Sequence, residues 1–105
     1  MARFDVFNNS GAAAGTTPYL LNVQSDLLDG LDSCMVIPLR RMGQFANIKR
    51  PTRLTPSLKI GDEDYLLETP KMASVPRRFL KSPVTTLAHE QAQITAALDF
   101  LFQGY

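Results

Sequence analysis

Along most of this chain apolar and polar residues alternate in twos, and near residue 82 the period lengthens to that of a helix. Residues 3–7 set Phe4 and Val6 on one side and Arg3 and Asp5 on the other, which predicts a strand half buried in a sheet. Residues 8–18 are small and polar and offer a core nothing to hold, so they read as a long mobile hairpin loop. Alternation returns over residues 19–25, with Tyr19, Leu21 and Val23 facing away from Leu20, Asn22 and Gln24. Next comes Asp26-Leu27-Leu28-Asp29-Gly30, in which Asp29-Gly30 is a turn signal and the two leucines, set between acids, are expected at the surface. Residues 34–39 have the near-continuous apolar character of a buried strand, although Pro38 removes a ladder donor and belongs at a bulge, an edge or a strand end. Residues 40–53 are basic, interrupted by Gly and Pro, and read as irregular. Residues 57–60 and 65–69 flank Gly61-Asp62-Glu63-Asp64 as a hairpin, and residues 72–75 make one more short strand closed by Pro76.

Pro83 suits the first turn of a helix with Ser82 before it as cap, and Thr85 or Thr86 offers a later start. At about 100° per residue, Leu87, Ile94, Leu98, Leu101 and Tyr105 share one stripe, with Ala97 and Phe102 on its flanks. This stripe is expected to pack on the sheet. His89, Ala92, Ala96, Asp99 and Gln103 lie opposite, and Phe100 lies with them, so it needs a partner outside the helix-to-sheet core. Strands followed by one C-terminal helix predict an α+β fold, an antiparallel sheet with a helix laid across it, as a single domain over residues 1–105.

Composition narrows the functional classes. A length of 105 residues is near the small end of self-sufficient domains, where a partner subunit helps. The formal charge of +1 lacks the excess of base that a dedicated nucleic-acid or membrane-surface binder carries. Cys34 is alone and cannot form an internal disulfide, and Arg3 and Asp5 put charge where a signal peptide runs apolar, so a cytoplasmic location is expected. No apolar run approaches the roughly 18 residues that span a bilayer, so no membrane association is expected.

The residues of an enzyme are hard to assemble. One His and one Cys cannot make the common zinc sets, and there is no Gly-x-Ser-x-Gly elbow, phosphate-cradling Gly loop or dinucleotide fingerprint, so neither a cofactor nor a metal is expected. His89 reads as a solvated residue and Cys34 as a small buried hydrophobe. Asp62, Glu63 and Asp64 read as a solvated hairpin tip. Arg40, Arg41, Lys49, Arg50 and Arg53 could grip a phosphate backbone, but only Phe45 interleaves with them, and a soluble loop is the simpler reading. What remains is exposed apolar surface at Leu27-Leu28 and over residues 100–105, which points to protein binding rather than catalysis.

The run Val23-Gln24-Ser25-Asp26-Leu27-Leu28-Asp29, then Met35-Val36-Ile37-Pro38-Leu39, Ile60-Gly61-Asp62-Glu63 and Met72-Ala73-Ser74-Val75-Pro76, resembles the CcdB family of toxins from bacterial toxin–antitoxin systems. The resemblance covers nearly the whole chain in order and is weakest in residues 8–18 and 44–53. It implies a homodimer of a twisted antiparallel sheet, a partly open barrel related to the MazF-type toxins, with the C-terminal helices near the dimer axis. It further implies binding to the A subunit of DNA gyrase, trapping of gyrase on cleaved DNA, and neutralisation by a CcdA-like antitoxin whose disordered segment folds on binding. No covalent chemistry belongs to such a toxin, and no direct contact with nucleic acid is expected.

By this resemblance the gyrase-binding residues are Leu27, Leu28, Gln91, Asp99, Gln103, Gly104 and Tyr105, and Phe100, Leu101 and Phe102 belong to the dimer interface. Ser10 and Tyr65 fall on the side associated with antitoxin binding. The chain departs from the best-known form at Gln103, where that form has a tryptophan, at Asp99 in place of an asparagine, and at Gln91 in place of a glutamate. Two other readings stay open: a MazF-like ribonuclease using Arg40, Arg41 and Arg53 on RNA, and a CcdB-like protein that binds antitoxin but has weakened or lost its gyrase poisoning.

Overall fold

The computed structural model describes residues 1–43 and 50–105. Its strands are β1 (Asp5–Asn8), β2 (Tyr19–Asn22), β3 (Ser33–Arg41), β4 (Ser57–Ile60), β5 (Glu63–Leu67), β6 (Ala73–Pro76) and β7 (Thr85–Thr86), followed by one α-helix, α1 (Gln91–Gln103). Every pairing among them is antiparallel, in the order β4-β5-β3-β2-β1-β7 with β6 beside β3. The result is the expected α+β fold, a curled sheet forming a half-barrel with the C-terminal helix.

β3 is the spine of this sheet. One edge pairs with β2, and the other pairs first with β6 at residues 33–36 and then with β5 at residues 39–41. Pro38 sits where the outer partner changes. Its carbonyl accepts a bond from the Glu68 amide at 3.0 Å on that outer side. Since a strand residue in an antiparallel pair directs N–H and C=O to the same side, its missing donor removes nothing from the pairing with β2. The β4–β5 hairpin is tighter than the four-residue turn read from sequence. Ile60 pairs with Glu63, and Gly61 supplies the positive φ of 62° that the turn requires.

Strand alternation feeds two cores. On the inner face Val6, Leu21, Ile37, Leu39 and Leu67 are buried with Leu87, Ile94 and Ala97 from the C-terminal segment. Their neighbours in sequence turn outward: Phe7, Cys34 and Val36 are buried with Leu80, and Leu20 and Val75 pack on them half-buried. The first strand begins two residues later than expected, because Phe4 adopts a left-handed φ of 75° while remaining buried. Its amide donates to the Asn22 carbonyl at 2.7 Å and its carbonyl accepts from the Leu87 amide at 2.8 Å, which offset a backbone cost of about 1–2 kcal/mol.

Four expectations are corrected. The helix does not start at Ser82-Pro83 or at the threonines: Thr85 and Thr86 form β7 against β1, and α1 begins only at Gln91 after a 3-10 turn, Ala88–Glu90. The free edge of β1 explains this, since Val6 and Phe4 offer carbonyls to the amides of Val84 and Leu87. Tyr105 is not part of the packed stripe. Gly104, at φ 81°, ends the helix with its amide bonded to the Phe100 carbonyl at 2.9 Å, so Tyr105 leaves the 100° progression and is 74% exposed. Phe102, expected on a flank of the stripe, is exposed as well. Residues 9–17 are knitted together rather than empty of structure, with Asn9 bonding the Gly11 amide and the Thr17 carbonyl and Arg41 reaching the Thr16 carbonyl from β3.

Candidate functional site

The end of α1 is an anchored helix with a bare tip. Ile94 and Ala97 are fully buried, Leu98 packs on the core, and Leu101 is half-buried. Gln91, Asp99, Gln103 and Gly104 are exposed along with Tyr105. Phe100 is half-buried, and the guanidinium of Arg53 lies over its ring at 5.0 Å. The partner that periodicity demanded for Phe100 is thus supplied, at least on one side, by the same chain.

A second apolar surface is the loop between β2 and β3. Ser25 caps the 3-10 turn Asp26–Leu28 by accepting from the Leu27 amide at 3.2 Å, and the Asp26 carboxylate accepts from the Arg3 amide at 2.7 Å. Arg77 ties down the far side, pairing with Asp29 at 3.1 Å and donating to the Leu31 carbonyl at 2.8 Å. On this held frame Leu27 is 94% exposed, and Leu28 and Leu31 are about half exposed. Leu31 was missed in the sequence, although it stands between Gly30 and Asp32 in the same acid-flanked manner that marks Leu27. Phe79, half-exposed, was missed too, because nothing in the stretch around it is periodic.

These two surfaces occupy different ends of α1. The leucine loop is bonded through Asp26 to Arg3, beside Phe4, whose carbonyl receives the chain as it enters the helix through Leu87. Gln91 is therefore at the loop's end of the helix. Asp99 lies about 12 Å along the helix from Gln91 and Gln103 about 18 Å, at 1.5 Å per residue, with Tyr105 just past the helix end.

The remaining candidates are placed as follows. Ser10 is exposed on the β1–β2 loop beside Gly11. Tyr65 is buried at 4% exposure, edge-on to Tyr19 with ring centroids 5.2 Å apart, and only its hydroxyl reaches a polar partner, donating to Glu63 at 3.3 Å. Burial, then the neighbouring Tyr19 and Glu63, push the Tyr65 hydroxyl above its ordinary pKa. Glu63 also pairs with Arg41 at 3.2 Å, and Asp64 with Lys59 at 3.4 Å, so two of the three hairpin acids face cations. Arg41 further donates to the Gly15 carbonyl, and Arg50 to the Thr55 carbonyl. Arg40 is half-buried on β3. Phe45 and Lys49 lie outside the described residues. His89 is exposed in the turn before α1. Cys34 is buried with its thiol directed at the Asn22 side-chain oxygen at 3.0 Å, and burial raises its pKa. Among the described residues no group of three metal-ligating side chains forms, and no helix is long and apolar enough to cross a membrane.

The chain is a small α+β domain with exposed apolar side chains on the leucine loop and at the helix end. The family model described as CcdB protein matches residues 3–104, and the chain belongs to the CcdB family, the toxins of toxin–antitoxin systems. The match runs through the leucine loop and extends to Gly104 at the helix end.

Proposed function

We propose that this chain is a toxin that works by binding: it grips the A subunit of DNA gyrase, holds the enzyme on DNA it has cleaved, and so blocks replication and transcription. The observation that carries this reading is the helix end, where Gly104 stops α1 and leaves Gln103 and Tyr105 exposed on an anchored helix. Tyrosine at such a tip is a common energetic centre of protein interfaces. The gyrase surface comprises Leu27, Leu28, Gln91, Asp99, Gln103, Gly104 and Tyr105.

Two copies pair through Phe100, Leu101 and Phe102 as a homodimer, which doubles the tip. A CcdA-like antitoxin neutralises the toxin through contacts that include Ser10 and the hydroxyl end of Tyr65. The toxin acts in the cytoplasm, where gyrase meets DNA, and performs no covalent chemistry, uses no cofactor and touches no nucleic acid directly. A MazF-like ribonuclease reading is weakened by the commitments of Arg41 to Glu63 and of Arg53 to Phe100.

One feature favours a second reading, a toxin of reduced grip. Gln103 can hydrogen-bond but cannot supply the stacking and cation–π energy of an aromatic, about 0.5–2 kcal/mol. The test is incubation of the protein with purified gyrase, ATP and supercoiled DNA, scoring linear DNA after denaturation. Trapped cleaved DNA that disappears on deleting residues 103–105 supports the first reading. Antitoxin binding without trapped DNA supports the second, and RNA cleavage with gyrase unaffected overturns both.

A further inference from the structure

Asp29-Gly30 is the only place in the chain where aspartate or asparagine precedes glycine. In such a pair the glycine nitrogen can attack the side-chain carboxyl carbon before it, because no Cβ stands beside that nitrogen to screen it. Both residues are exposed on the leucine loop, and a Cβ built on Gly30 would meet nothing within 4 Å. The Gly30 amide lies between two that are engaged, Asp29 donating to the Asp26 carbonyl at 3.2 Å and Leu31 to the Leu28 carbonyl at 3.2 Å. It makes no hydrogen bond itself among the described residues. The pair also borders a cleft of about 510 Å³, ample for water.

Two features hold the pair back. Asp29 has helical angles, φ −65° and ψ −18°, whereas ring closure needs its Cβ eclipsed with the Gly30 nitrogen about the Cα–C bond. Its Oδ1 is paired with Nη1 of Arg77 at 3.1 Å, which keeps the side chain from turning onto that nitrogen. Arg77 is itself fixed, donating from Nε to the Leu31 carbonyl and from its amide to the Asp32 carbonyl, each at 2.8 Å. Asn9, which precedes Ser10, has both ends of its side-chain amide bonded, to the Gly11 amide and the Thr17 carbonyl, and lacks this freedom.

We propose that Asp29-Gly30 is a site of spontaneous isoaspartate formation and that Arg77 sets its rate. The Gly30 nitrogen bonds to Cγ of Asp29 and gives up its proton, a carboxyl oxygen leaves as water, and a cyclic succinimide results. Water then adds to either ring carbonyl and breaks its bond to nitrogen. Opening at Cγ restores aspartate. Opening at the main-chain carbonyl leaves the chain running through Cβ, with a carboxylate on Cα. The water lost is regained, so no other reactant enters. The isoaspartate lengthens the main chain by one carbon, moves the carboxylate that Arg77 holds, and alters the frame that presents Leu27 and Leu28. The altered loop is then a substrate for carboxyl methyltransferases that use S-adenosylmethionine to methylate isoaspartate. The proposal concerns the covalent state of the loop and stands whether or not gyrase is the target.

The test is storage of the full-length protein at neutral pH in heavy-oxygen water, with samples digested over weeks and the peptide carrying residue 29 resolved by chromatography and mass. A second form of that peptide is expected, with one heavy oxygen at residue 29 and the capacity to accept a methyl group from an isoaspartate methyltransferase. It should form more slowly than in the same protein unfolded in urea. Arg77→Ala should speed it about two- to fivefold, the range for loss of an exposed ion pair. Gly30→Ala, for which there is room, should slow it about tenfold by screening the nitrogen. Circular dichroism and the urea midpoint verify the fold of each variant, and Gly30→Ala keeps the site testable if Arg77→Ala does not fold. Absence of isoaspartate and heavy oxygen at residue 29, or a parental rate in Gly30→Ala, overturns the site. A folded parent as fast as the unfolded chain, or a folded Arg77→Ala no faster than the parent, overturns the role of Arg77.

Discussion

The guanidinium of Arg53 lies 5.0 Å from the ring centroid of Phe100, so the aromatic that stands off the core face of α1 is covered from a turn just before β4. An exposed cation–π pair of this kind contributes about 0.5–1 kcal/mol. Arg53→Ala should lower stability by that amount in urea denaturation. In a double-mutant cycle with Phe100→Leu the two changes should be non-additive. If Phe100 also belongs to the dimer contact, Arg53→Ala will in addition shift the monomer–dimer equilibrium seen by sedimentation.

The leucine loop separates binding from folding. Leu27 is 94% exposed, so Leu27→Asp removes no buried surface and should leave stability within about 0.5 kcal/mol of the parent. Gyrase trapping should nevertheless fall by about tenfold or more, as for an apolar contact replaced by a charge at an interface. A variant that loses trapping only in proportion to lost stability would remove Leu27 from the gyrase surface.

Gln103→Trp should tighten gyrase binding by roughly 0.5–2 kcal/mol, about a decade in affinity, measured by titration against the gyrase A subunit. Unchanged or weaker binding would mean that this toxin docks by another geometry.

Gly104 is a backbone requirement rather than a packing one. It sits at φ 81°, and a Cβ there would meet nothing within 4 Å. Gly104→Ala should therefore cost about 1–2 kcal/mol locally through the left-handed conformation alone. The expected signs are faster amide exchange over residues 100–105 and weaker trapping, with the global unfolding midpoint nearly unchanged.

Alkaline pH should destabilise the fold through Cys34. Burial raises the thiol pKa above its ordinary 9.0, so the folded state holds a proton that the unfolded state releases first. The stabilisation is whole below pH 9.0 and is lost as pH climbs from there toward the folded pKa. Tyr65, also raised by burial, adds a similar loss above its ordinary 10.0. Urea midpoints between pH 8 and 10 should fall less steeply for Cys34→Ala than for the parent; equal slopes would exclude the thiol as the cause.

The sequence by itself determined the strands with clear alternation and the stripe of Ile94, Leu98 and Leu101, because burial of one face imposes a period that can be read without knowing the partner. It also marked Leu27 and Leu28 for exposure, since apolar residues between acids have no local route to burial. What lay beyond it was decided by partners distant along the chain. Thr85 and Thr86 became a strand because β1 presents an open edge, and Pro38 fits inside β3 because its neighbour changes from β6 to β5 at that point. Arg53 found Phe100, Asp26 found Arg3, and Arg77 found Asp29. Periodicity records which side of an element is wet or dry. Which groups meet is settled only when the sheet curls and brings separated stretches within the few ångströms over which hydrogen bonds and ring contacts act.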